Sequence, residues 1–95
     1  MTITKLNPRE EIMRKNLRGL RKFTGLSRTD FSIETQVPAT TIKNYENGYR
    51  TVSVHCLQNI GIAYGWPIAK RMLEPTVITS EEFSKLMPPS ASDTL

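Results

Sequence analysis

Helix-stopping residues recur so often along this chain that any helix between them must be short. Gly25, Pro38, Gly48, Gly65, Pro67 and Pro75 punctuate stretches whose apolar residues repeat at helical spacing. Residues suited to opening a helix stand beside these stops. Asn7-Pro8-Arg9-Glu10 offers a capping side chain, a proline for the first helical position and a glutamate that can complete a capping box. Ser27 with Asp30, Ser53, and Thr79-Ser80-Glu81-Glu82 repeat the idea further along. No alternating strand pattern of useful length appears, so the class is all-α.

The pattern predicts six helices. The first runs from Pro8 towards Gly25, with Met13, Leu17 and Leu20 on one face and Ile12 and Phe23 widening it. The second opens at Ser27, carries Phe31, Ser32 and Thr35, and is broken at Gln36-Val37-Pro38 because a residue before proline is pushed out of the helical region. The third spans about Pro38 to Asn47. The fourth is capped by Ser53, buries Leu57, Ile60 and Tyr64, and stops at Gly65. The fifth starts at Pro67, contains Ile68, Met72 and Leu73, and ends before Pro75. A short sixth holds Phe83, Leu86 and Met87. The expected division is a domain over 1–73 and a C-terminal extension over 74–95, helical at 79–87 and with a frayed tail through Pro88-Pro89-Ser90-Ala91-Ser92.

Ninety-five residues make one domain at most, with a modest core. No apolar run approaches the roughly 18 residues of a membrane span, and residues 1–8 lack the apolar segment of a leader peptide. The one cysteine, Cys56, cannot form an internal disulfide, which fits a reducing cytoplasm. Charge is uneven. Residues 1–50 hold ten Lys/Arg and five acids, a balance of +5, whereas 51–95 hold three bases and four acids, a balance of −1. A polyanion partner for the basic half is one reading of that asymmetry, and an ordinary solvated basic surface is the other.

The third helix has two different faces. Advancing about 100° per residue places Lys43, Asn44 and Asn47 within about 60° of Thr40, with Ile42 and Tyr45 near the opposite side. A solvated helix usually shows Glu/Lys pairs on its outer face. This one shows a lysine with amide and hydroxyl groups, and small Ala39 and Thr40 at its start. Such a set suits the DNA major groove: Asn can bond an adenine edge, Lys can reach guanine acceptors, and the methyls of Ala and Thr can meet a thymine methyl. A polar face of this kind can equally be solvated and nothing more.

The longer run Leu20-Arg21-Lys22, Gly25-Leu26-Ser27-Arg28, Phe31-Ser32, Val37-Pro38, Thr41-Ile42, Tyr45-Glu46-Asn47-Gly48, then Leu57 and Ile60, resembles the Cro/C1-type helix-turn-helix family of phage and bacterial repressors, also called the XRE family. The resemblance covers roughly residues 12 to 73. It implies a five-helix, lambda-repressor-like DNA-binding domain, here with a short C-terminal helical extension. Ser27 to Thr35 would be the positioning helix and Pro38 to Asn47 the recognition helix. Ala39, Thr40, Lys43 and Asn44 match the base-reading positions. Ser27, Arg28, Thr41, Asn47, Tyr49 and Arg50 match positions near the DNA backbone, and Arg28 stands where the family often has Gln on a phosphate. Tyr45 matches a partly buried aromatic site, and Glu46 a position often paired with a base of helix one. Three residues depart from the pattern. Gln36 stands where Gly is frequent, and a positive φ there would cost it about 1 kcal/mol relative to Gly. Pro38 replaces a Ser or Thr cap, and Ile33 occupies a usually polar position.

Each assignment has a plainer rival. Arg28 is a phosphate clamp or a surface arginine; Tyr49 and Arg50 grip the backbone or close a turn. His55 beside Cys56 lacks the ligand count for a structural zinc, so a surface histidine and a small packing cysteine are expected. No base-orienter pair surrounds a nucleophile, and neither enzyme activity nor a metal or cofactor is expected. Trp66, Ile68, Met72, Leu73, Ile78 and Phe83 should be mostly core, with a surplus on helix five and residues 76–87 available as a dimer patch. The resulting expectation is a cytoplasmic transcriptional regulator, a repressor that binds an inverted-repeat operator in double-stranded DNA as a homodimer. The alternatives share the fold: an antitoxin that takes a protein partner through its C-terminal extension, or a restriction-modification controller. A protein-interaction module without DNA binding is a third reading, which the basic first half disfavours.

Overall fold

The computed structural model describes residues 7–87, and six α-helices account for most of them. These are α1 (Pro8–Thr24), α2 (Arg28–Thr35), α3 (Ala39–Glu46), α4 (Val54–Tyr64), α5 (Trp66–Met72) and α6 (Ser80–Leu86). There is no strand among the described residues. The frayed tail expected at 88–92 lies outside them. No helix among them is long and apolar enough to cross a membrane.

The helix ends follow the local chemistry. Asn7 and Glu10 form a reciprocal capping box, each side chain accepting from the other's backbone N–H at 2.9 Å. Gly25 closes α1 at φ 77° and donates its N–H to the Arg21 and Lys22 carbonyls. Ser27 caps α2 by accepting from the Asp30 N–H at 3.1 Å. Ser53 and Thr79 cap α4 and α6 in the same way. The expected fifth helix begins one residue early, at Trp66, with Gly65 as its cap and Pro67 inside the first turn.

One apolar cluster joins every helix. Leu17 and Leu20 of α1 meet Phe31 of α2, Ile42 of α3, Leu57 and Ile60 of α4, and Ile68 and Met72 of α5. Burying one such side chain contributes roughly 1.5–3 kcal/mol. Ile78 and Phe83 belong to the same cluster, so the segment after α5 completes the core. Of the large residues expected to be mostly core, two form the surplus left outside. Trp66 and Leu73 are 64% and 61% exposed, and Leu73 caps α5 rather than lying inside it. Ile33 is an exposed side chain on α2.

The return of the chain across α1 rests on Asn16, a buried residue in the middle of that helix. Its Nδ2 donates to the Thr76 carbonyl at 3.0 Å, and its Oδ1 accepts from the Ile78 N–H at 2.8 Å. Phe83 then packs against Phe23 with ring centroids 5.7 Å apart. Arg71 of α5 pairs with Glu82 of α6, its Nη2 donating to Oε1 at 3.2 Å.

Candidate nucleic-acid interface

An isolated helix as short as α3, eight residues, is marginal in water. It also begins without a side-chain cap, because Pro38 occupies the cap position. Its stability therefore comes from what it packs on. Ile42, Tyr45 and Glu46 are buried beneath it, against α1 and α2. Tyr45 donates its hydroxyl to Ser53 Oγ at 3.2 Å, which ties α3 to the start of α4.

The turn that sets α3 against α2 is built by Gln36. Its φ is 62°, the one positive value at a non-glycine position among the described residues. The left-handed conformation is held by Gln36 N–H donating to the Ser32 carbonyl at 2.8 Å and by its side-chain amide donating to the Ile33 carbonyl at 3.1 Å. Buried Thr35 braces the same turn. Its hydroxyl donates to the Phe31 carbonyl at 2.7 Å and accepts from the Val37 N–H at 3.4 Å.

With its apolar side committed inward, α3 turns Thr40, Lys43 and Asn47 to solvent, as the helical wheel anticipates. Ala39, Thr41 and Asn44 are half-buried beside them. The Asn44 carbonyl accepts from the Tyr49 N–H at 2.8 Å and the Arg50 N–H at 3.3 Å, which folds the following loop back over the end of α3. Arg50 lies 5.9 Å from the Tyr45 ring centroid, a cation–π contact that holds an exposed cation near the helix end. Tyr49 is half-buried and engaged in a contact of its own. Ser27 spends its oxygen on the α2 cap, though its hydroxyl can still donate.

Beneath this surface lies an ion cluster. Glu46, its side chain fully buried, accepts from Arg21 Nε at 2.7 Å and from Arg21 Nη2 at 3.1 Å. The bond to Glu46 raises the Arg21 pKa above its ordinary value, against a smaller opposing effect of burial. Arg28 also reaches Glu46, its Nε donating to Oε1 at 3.2 Å. The pairing of Glu46 with helix one matches the expectation carried by the resemblance. The engagement of Arg28, which the sequence offered as a clamp or a bare surface residue, had no local signal, because eighteen residues separate it from its acceptor. Arg14 adds a bond from Nη1 to the Glu46 carbonyl at 3.1 Å, and Thr51 donates to Glu10 Oε2 at 2.7 Å, so the loop after α3 is fastened to α1.

No group of three or more metal-ligating side chains exists among the described residues. His55 is exposed, and Cys56 is buried, with burial pushing its thiol pKa up to about 11. Elsewhere on the surface, Val54, Leu57, Trp66, Ala69 and Leu73 line an open groove of about 390 Å³ between α4 and α5, with Gln58 and Lys70 at its edges. Comparison of the chain with protein-family models, with curated proteins and with solved structures gives no match in any of the three.

Proposed function

We propose that the protein is a sequence-specific DNA-binding regulator, with α2 and α3 as a lambda-repressor-like helix-turn-helix of the XRE type. The observation that carries this reading is the division of α3. Its large residues are buried under a fixed turn, while Thr40, Lys43 and Asn47 project from the opposite face with Asn44 beside them. In the major groove, Lys43 and Asn44 read base edges and Ala39 and Thr40 approach thymine methyls. Arg28, Arg50, Asn47, Thr41, Tyr49 and Ser27 serve the sugar-phosphate backbone. The +5 balance of residues 1–50 supplies the general attraction to DNA.

A half-site reader gains affinity and spacing specificity by pairing, so we assign the working form to a homodimer that represses from an inverted repeat. The exposed Trp66 and Leu73 and the groove beside them are the patch for a second copy. α4, which forms one wall, contains no Lys, Arg, Asp or Glu, so Lys70 of α5 is the one charged side chain of the lining. Residues 76–87, the other part of the expected patch, have Ile78 and Phe83 turned into the core. That occupation favours a regulator over an antitoxin whose partner would take the extension.

Selection from a random DNA library tests the reading, with an enriched inverted repeat as the expected outcome. On the selected site, Asn44→Ala should cost about 1–3 kcal/mol and relax one base position. Arg28→Ala should weaken all sequences alike and reduce the salt dependence by about one ion. Wild-type binding by both variants at moderate salt would show the assignment to be wrong.

A further inference from the structure

The cluster beneath α3 contains more positive charge than its carboxylate needs. Arg21 alone makes a two-pronged pair with Glu46, at 2.7 and 3.1 Å. Such a pair already balances the buried charge. Arg28 is added to it, with Nε 3.2 Å and Nη2 3.1 Å from Glu46 Oε1. Two guanidinium groups on one carboxylate leave the cluster at a formal +1. The surplus belongs to Arg28, whose side chain is 35% exposed against 15% for Arg21.

That surplus is placed where the helix dipole does not favour it. Arg28 is the first residue of α2, and the positive end of a helix dipole repels a cation. An outside anion would offset both the excess charge and the dipole. The contact with Glu46 also fixes which edge of the guanidinium faces outward. Nε and Nη2 lie on the carboxylate, and Nη1 takes no part in the contact. A free arginine would have to give up side-chain entropy when it met a phosphate, and one already held gives up less.

We propose that Glu46 is a positioning residue for DNA binding: its buried carboxylate holds Arg28 so that the Nη1 edge is presented to a phosphate of the DNA backbone. This rests on the DNA reading above and adds a role for a residue that DNA never touches. The opposite role is physically possible and has the opposite sign. If Glu46 competed with phosphate for Arg28, removing its charge would tighten binding.

The test uses the full chain and the site selected from the random library. Arg28→Ala, Arg28→Lys, Glu46→Gln and the double variant Arg28→Ala/Glu46→Gln are compared at one salt concentration, with circular dichroism as the check on folding. Arg28→Lys keeps the charge but cannot be gripped through Nε and Nη2, so it should bind about tenfold weaker, as Arg28→Ala does. Glu46→Gln should lose the same factor, and the double variant should lose no more than either single one. In nuclear magnetic resonance spectra, the Arg28 Nε–H should be resolved and slow to exchange in the free protein and should stay so in the complex. If Glu46→Gln fails to fold, the Arg28→Lys result and this signal decide the matter. Tighter binding by Glu46→Gln, wild-type binding by Arg28→Lys, additive losses, or disappearance of the Arg28 signal on DNA would each overturn the role. A site that still responds to Asn44→Ala while these arms fail would leave the DNA reading standing. No enriched sequence at all would remove that reading, and this role with it.

Discussion

Gln36 shows how one residue sets the angle between two helices. At φ 62° a side chain with a Cβ is strained, and the two hydrogen bonds to the Ser32 and Ile33 carbonyls offset part of that strain. Gln36→Gly should therefore stabilise the fold by up to about 1 kcal/mol, reduced by the lost side-chain bond and the greater freedom of the unfolded glycine. Urea denaturation measures this, and a clear loss of stability would show that the side-chain bond outweighs the strain. The helix break was legible in the sequence because proline pushes Val37 out of the helical region, and the positive φ at Gln36 was legible only through the resemblance, in which Gly is frequent there. Asn16 was not legible. It follows Lys15 on α1 and looks like another polar position, whereas its partners Thr76 and Ile78 lie sixty residues on. Nothing in local periodicity separates a solvated asparagine from one that satisfies a distant backbone.

At the scale of elements, caps and stops carried most of the information. The boundaries of α1, α2, α4 and α6 follow from Asn7, Ser27, Ser53 and Thr79, and each of these side chains accepts the expected backbone N–H. α5 was harder. Seven residues make barely two turns, too few for a period to fix which face is inward, so hydrophobicity alone does not say that Trp66 and Leu73 are the surplus left outside the core. The junction of α6 with α1 is the element contact most open to test. Asn16→Leu keeps the volume near that of asparagine but leaves the buried Ile78 N–H without its acceptor. It should cost about 2–3 kcal/mol and speed hydrogen exchange at Ile78, while helical content is retained. Unchanged exchange at Ile78 would mean that Phe83 and Ile78 hold the segment without the asparagine.

For the molecule as a whole, the proposed roles divide by surface. Residues 1–50 carry the positive balance and the polar face of α3; α4 and α5 carry the largely apolar groove, with Lys70 at its edge. If that groove receives a second copy, Trp66→Ser with Leu73→Ser should convert a dimer to a monomer in sedimentation without loss of fold. Affinity for a two-half-site operator should fall by about a hundredfold, while half-site binding is unaffected. A variant that remains dimeric would place the contact elsewhere. The charge asymmetry was visible from the sequence, but the groove was not, because it depends on Trp66 lying outward over Gly61.

The buried Cys56 gives the protein a clock of its own. A thiol reagent attacks the thiolate, and this thiol is both enclosed and held protonated to about pH 11. Alkylation must then wait for the fold to open. As the chain has one cysteine, each event reports one opening around the first turn of α4. A ligand that binds only the closed form slows that clock in proportion to its occupancy. The labelling rate of Cys56 should therefore fall as operator DNA is added, and an unchanged rate at saturating DNA would show that binding and opening are independent. No engineered probe is needed to make the measurement.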